Sequence, residues 1–242
     1  MPNLPAHRTV LLAAAGCLIP GLFAQQVPDG GTRERLVSIF IPPLPGHPFT
    51  GTVNTEWVRF LGDGSRITLR NHRLIARDKN GRIFQERRLL VPLDGGPESA
   101  LTQTEITDPL LGERYICMPR ELVCQLELFQ PMTPSAQATK SGPQSDEVPL
   151  GIKMMAGLEA VGTRETVTVP AGAMGNSSPI LTKREFWYSR QLGMNTLSIR
   201  EDPRFGTQKF ELSDIVMAEP DAALFAPPAG SKIVDLRSLT AK

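Results

Sequence analysis

Histidine, cysteine and aromatic side chains are scarce in this 242-residue chain, which has three His, three Cys and 6% aromatic residues. These are the side chains from which most metal centres and nucleophilic sites are built, so their scarcity narrows the chemistry. There is no H-x-H or H-E-x-x-H spacing and no carboxylate-rich metal loop, so no metal site is expected. A redox C-x-x-C is absent. No serine stands in G-x-S-x-G. The Gly-rich "GAMGNSS" lacks the lysine of a phosphate loop and follows Val-Pro instead of opening a helix. His72 sits among arginines in "RNHRLI", which disfavours both a metal and a charged imidazole, and His47 lies in a Pro-Gly loop. Clear helical periodicity is also missing, while 22 prolines and 21 glycines favour strands and turns. No catalytic residue and no cofactor are expected from this pattern.

A long apolar run is lacking as well. The longest, Thr9 to Phe23, is about fifteen residues and is interrupted by Gly16 and Pro20, too short and broken for the roughly twenty a membrane helix needs. It has instead the zones of a secretory signal. His7 and Arg8 precede the apolar stretch, and Leu22-Phe23-Ala24 ends in a small residue before Gln25. Cleavage between Ala24 and Gln25 is the expectation. The alternative is lipidation at Cys17. Against it, Ala14-Ala15-Gly16 only half resembles a lipobox, and Leu18 to Phe23 continue the apolar region instead of leaving a bilayer surface. The expected location is therefore periplasmic or extracellular, with no transmembrane helix in the mature chain.

Excess charge of one sign is the next absence. Removing residues 1–24 takes away Arg8 and no acid, leaving 218 residues with 25 basic and 25 acidic side chains. That balance excludes a general nucleic-acid partner. The mature length allows one domain or two small ones with a real core.

Two cysteines remain after export, Cys117 and Cys124 in "YICMPRELVCQLEL". An even pair in an oxidising compartment suggests a disulfide. Tyr115 to Met118 and Val123 to Leu128 read as strands around a turn at 119–122. If Met118 faces Val123, then Cys117 faces Cys124 across the hairpin, with Cβ atoms about 4.5–5.5 Å apart.

Along the chain, a Pro-rich segment over 25–48 leads into a single β domain, 49–230, made of two meanders, 49–129 and 150–230. A flexible loop over 130–149 joins them, and a loose tail follows from 231 to 242. In the first meander, Gly62-Asp63-Gly64 and Lys79-Asn80-Gly81 mark turns, Asn-Gly being a strong hairpin signal. The second meander contains "GLEAVGTRETVTVP", "PILTKREFWYS", "MNTLSIRED" and "TQKFELSDIVMA". Near its end Asp221 can cap a single turn that sets Leu224 and Phe225 against the sheet. An internal echo links "DPLLGERY" (108–115) and "DPRFGTQKF" (202–210) through D-P-x-x-G. It reads as paired ligand loops or as two similar turns. The expected fold is all-β, a mostly antiparallel and strongly curved sheet of open half-barrel form, with a β-sandwich as the second choice.

Several of these stretches, "LIARDKNGRIFQERR", "ITDPLLGERYI", "GLEAVGTRETVTVPAGAMGNSSPI", "REFWYS", "EDPRFGTQKFELSDI" and "EPDAALFAPPAG", carry a resemblance. The chain resembles a group of uncharacterised exported bacterial proteins and, more remotely, the outer-membrane lipoprotein carrier superfamily. The remoter likeness implies a curved antiparallel sheet over an apolar cavity. This chain departs from it in lacking clear long helices and in carrying many charges on its strands.

Two surfaces follow as candidates. Trp57, Phe60, Phe186 and Trp187 would line an apolar ligand face. Residues 59–88 hold nine Lys/Arg against three acids, and Arg66, Arg70, Arg73 and Arg77 would form a basic patch or else be paired by acids of the second half. The expected function is thus a non-enzymatic envelope protein holding an apolar or lipid-like ligand on its sheet. The alternative is an interaction module that meets an envelope protein through the basic meander or an exposed strand edge. A hydrolase with an unrecognised site comes third. An enclosed apolar pocket would favour the ligand, and a filled core the module.

Overall fold

The computed structural model describes residues 38–93, 98–130 and 145–240, and the expected signal and cleavage region around Cys17, Ala24 and Gln25 lies outside them. Among the described residues the chain is nearly all β, one large, mostly antiparallel, curved and open sheet. The first meander runs β1 (Phe49–Phe60), β2 (Arg66–Arg77), β3 (Ile83–Arg88), the short β4 (Val91–Pro92), β5 (Leu101–Asp108), β6 (Glu113–Met118) and β7 (Val123–Leu128). The second runs β8 (Ser145–Met155), β9 (Leu158–Val169), β10 (Ile180–Ser189), β11 (Met194–Asp202) and β12 (Gly206–Val216). A last strand, β13 (Lys232–Asp235), and a one-turn helix, α1 (Arg237–Thr240), complete the chain.

Across the sheet the order is β13-β7-β6-β5-β3-β2-β1-β12-β11-β10-β9-β8, with β4 beside β2. The two meanders are joined where β12 returns to pair antiparallel with β1, Val53 opposite Leu212 and Trp57 opposite Gln208. Local chemistry sets the turns. Between β2 and β3, Asp78 Oδ1 accepts the backbone N–H of Asn80 and of Arg82, and Gly81 takes the positive φ of 84° that the Asn-Gly pair permits. Beyond this turn β2 and β3 diverge, and side chains continue the ladder: Glu86 accepts from the Leu74 N–H at 3.0 Å, and Asn71 Nδ2 donates to the Arg88 carbonyl.

Two expectations need correction. The tail is not loose, because Lys232 to Asp235 pair in parallel with Val123 to Leu126 of β7. Nor does the joining loop reach 149: Ser145 to Pro149 already belong to β8, where they pair with residues 163–167 of β9. Pro149 disguises this strand, yet a proline is tolerated on an edge, where its missing N–H breaks no inner ladder.

The core is layered along the sheet. Phe49, Val53, Ile75, Ile83, Phe210 and Leu212 form its centre, and Ile39 and Ile41 from the leading segment pack onto them together with Leu158, Leu192 and Met194. A second cluster, Ala76, Phe84 and Ile106, is covered by Phe225 and Leu224 of a single 3-10 turn. Asp221 caps that turn, accepting the Ala223 N–H at 2.9 Å, as an aspartate in this position predicts. A third cluster gathers Ala160, Trp187 and Leu197. Cys117 and Cys124 face each other in register and are joined by a disulfide, their Cα atoms 4.0 Å apart.

Candidate functional site

Side chains alternate between the faces of a strand, so register decides which candidates can act together. Trp57 and Phe186 fall on one face of the sheet, and Phe60 and Trp187 on the other. The four therefore do not line a common apolar surface. Trp57 is buried, donates its indole N–H to the Phe205 carbonyl at 2.8 Å and carries the Arg59 guanidinium 5.0 Å above its ring. Trp187 is buried under Lys153, whose Nζ lies 4.4 Å from the ring centre, and donates to Glu185 Oε1 at 2.7 Å. Gly162 sits against the same ring, where a Cβ would stand 2.7 Å from its carbons. Both tryptophans are structural. Phe60, 68% exposed, projects from the end of β1.

The four arginines separate in the same way. Arg66 and Arg70 are exposed on one face, whereas Arg73 and Arg77 are buried on the other. Arg73 donates to Gln85 Oε1 and Ser38 Oγ, heading a polar row in which Glu105 accepts from Gln85, Arg87 and Gln103. Arg77 donates to three backbone carbonyls, those of His47, Pro42 and Leu192, at 2.9, 3.0 and 2.5 Å. Burial lowers its pKa to about 10, which leaves it charged at neutral pH. It thus clamps the leading segment to the β10–β11 turn. Arg82, Arg87 and Arg88 pair with Asp78, Glu105 and Glu86, acids of the same meander and not of the second half. No patch of four arginines forms.

What remains at the surface is a cleft and an edge. The cleft, about 480 Å³, opens over β1, β2 and β12 with the residues after β3 along its rim. Its floor alternates in charge: Glu56 stands between Arg70 and Lys209 in register, and Asn54 between His72 and Glu211. Lys209 is held by Glu211 at 2.7 Å. Such a floor solvates ions and polar groups and gives no shelter to an acyl chain. Among the described residues no group of three or more His, Cys, Asp or Glu is placed to hold a metal ion.

The edge is β8. Among the described residues it pairs with β9 alone, and apart from Leu150 and Met155, which lean on the Trp187 cluster, its residues are exposed. Ile152 is 64% and Met154 70% exposed. Gly151, at a φ of 85°, forms a bulge beside Pro149 that divides the strand in two. Composition disguised this edge, since "SDEVPLGIKMM" alternates poorly and holds Pro and Gly; only its Val-x-x-x-Ile-x-Met spacing hints at it.

No protein-family model matches the chain, and no curated protein matches it. Among solved structures it is similar to MucB in the Pseudomonas aeruginosa MucA/MucB complex, at 18% identity and a TM-score of 0.44, over 78% of this chain and 58% of that one. The chain therefore spans well under two thirds of that protein's length. An uncharacterised conserved protein of Thermus thermophilus matches at 10% identity and a TM-score of 0.40, over 78% of this chain and 91% of that one. A LolA-superfamily protein of Nitrosomonas europaea matches at 12% identity and a TM-score of 0.28, over 76% and 91%. The resemblance to the outer-membrane lipoprotein carrier superfamily is remote and concerns the fold.

Proposed function

We propose that this protein is an exported, non-enzymatic binding module of the cell envelope that takes up a protein partner by strand addition at β8. On this reading residues 1–24 direct export and are removed after Ala24, and residues 49–230 act as one domain. The observation that carries the proposal is the asymmetry of the sheet's two edges. One edge is blunted by β13, a strand of only four residues laid on β7. The other ends in an eleven-residue strand that buries little and, among the described residues, has a whole row of backbone groups without a second neighbour. Proteins normally blunt such an edge. Here Pro149 and the bulge at Gly151 guard the middle against open-ended self-association, and Gly151 to Met155 remain as a docking stretch. Ile152 and Met154 share one face there and supply side-chain specificity to the backbone pairing.

A lipid-like ligand on the apolar face is the competing reading. It would have to displace Ile39 and Ile41, which the chain itself lays on that face. Native mass spectrometry and affinity retention from the host's own envelope extract separate the two. The mature chain should emerge free of lipid-sized adducts and retain a partner that I152E/M154E fails to retain, while a substitution of exposed Phe60 leaves retention intact. A stoichiometric lipid adduct, or equal retention by I152E/M154E, would overturn the proposal.

A further inference from the structure

The two D-P-x-x-G turns share a frame and differ in how they use it. In the second, between β11 and β12, Asp202 accepts the Arg204 N–H and Arg204 folds back so that its guanidinium grips the same carboxylate at 2.9 and 2.7 Å. Phe205 is half-buried there, and its carbonyl accepts from Trp57. Both variable residues serve the fold. In the first, between β5 and β6, Asp108 Oδ1 likewise accepts the N–H groups of Leu110 and Leu111, at 2.9 and 3.1 Å, and Gly112 turns the chain at a φ of 65°. Yet Leu110 is 75% and Leu111 69% exposed. The same turn that is absorbed at one end of the sheet presents two bare leucines at the other.

The backbone donors of the apex are satisfied within the turn. Pro109 has no N–H, and the next two donors are satisfied by Asp108, so residues 109–111 present no bare backbone donor when desolvated. The other long hairpin tip, between β1 and β2, is different: exposed Phe60 and Leu61 lead to exposed Gly62, Asp63 and Gly64, so that apex itself carries no apolar side chain. Around Leu110 and Leu111 the cations are taken up by acids. Glu113 is held by Arg237 at 2.6 Å and Arg114 by Glu127 at 2.5 Å, with no excess of cations to seek an anionic surface.

We infer that the Leu110–Leu111 apex is a membrane-contact point that inserts two leucines into the headgroup boundary of an electrically neutral lipid surface. A protein partner would need on the order of 800 Å² on each side with a polar rim. Two protruding leucines offer too little area for that, whereas a lipid layer closes around any shape that enters it by about 5–10 Å. The contact is weak and reversible by itself, and it is independent of the strand edge at β8.

Co-sedimentation of the mature chain with phosphatidylcholine vesicles tests it. The wild type should partition onto the vesicles to the same extent in low and high salt, and L110S/L111S should lower the partition coefficient at least tenfold. Thermal unfolding of this variant should match the wild type, since both side chains are exposed. The control L122N alters another exposed leucine, on the β6–β7 turn at the opposite end of β6, and suits that residue's φ of 50°. It should leave binding unchanged. Absence of wild-type binding, an equal loss with L122N, or binding that high salt abolishes would overturn the inference. Retention on envelope proteins but not on vesicles would overturn it too, and make the apex a protein contact.

Discussion

Asp202 has no exposed side-chain surface, and its carboxylate is surrounded by donors: Arg204 through backbone and guanidinium, and Arg200 at 3.6 Å. The hydrogen bonds from the Arg204 side chain are the main cause of its lowered pKa, ahead of the opposing effect of burial. The sign of the resulting pH dependence follows from linkage. Between its depressed folded pKa and the unfolded value near 3.9, the unfolded chain holds more protons. The stabilisation is therefore complete above about pH 5 and is lost as the pH falls through the folded value. Asp202→Asn should cost about 2–3 kcal/mol at pH 7 in urea unfolding and flatten the decline of stability below pH 4. An unchanged acid limb would remove Asp202 as its source. At this scale the sequence was more legible than a count of charges suggests. Arg66 and Arg70 have even numbers and Arg73 and Arg77 odd ones, so period-two alternation along one strand already separates them onto two faces. The same parity parts Phe186 from Trp187. What the sequence could not reveal is that Arg77 would find three carbonyls, because two of them belong to a loop thirty or more residues away and the third to a turn 115 residues away.

Hairpins were the most readable elements, since their information is local. Cys117 and Cys124 oppose each other in the register that the flanking strands imply, and Met118 faces Val123. The disulfide closes a loop of about eight residues, which in a chain-entropy treatment contributes roughly 2.5 kcal/mol. The double variant C117S/C124S should lose about that much in urea unfolding, and reductant should bring the wild type to the same midpoint. A variant indistinguishable from the oxidised wild type would mean that packing of the buried pair, not the cross-link, holds the hairpin. The elements that escaped have the opposite character. The leading segment has no periodicity over Ser38 to Pro48, yet Ile39 and Ile41 close the central core. Its role exists only once β1, β2 and β12 are assembled. Similarly, β8 is a strand because β9 provides a ladder, not because its own residues bury a face.

At the scale of the whole molecule, an open sheet must dispose of two edges, and this one treats them differently. β13 lies along β7 in parallel, Lys232 opposite Val123 and Asp235 opposite Leu126, and the Lys232 N–H donates to the Leu122 carbonyl at 2.8 Å. Just beyond it, Arg237 reaches back to Glu113 on β6 and to Asp235. Four residues bury little, so their value is not in core energy: Lys232, Ile233 and Asp235 all remain exposed. Their effect is to occupy the backbone groups of β7, which would otherwise offer a second template for strand addition. Removing residues 232–242 should therefore leave the disulfide hairpin and the core folded, with a loss of stability of about 1–2 kcal/mol from the ladder bonds and the Arg237 pairs. It should change the association state more than the stability. Sedimentation velocity should find concentration-dependent self-association in the truncated chain, and Gln125→Lys within β7 should suppress it by placing a charge on the newly opened edge. If the truncated chain stays monomeric at high concentration, β13 is not the guard of that edge, and the contrast with β8 on which the strand-addition proposal rests loses its force.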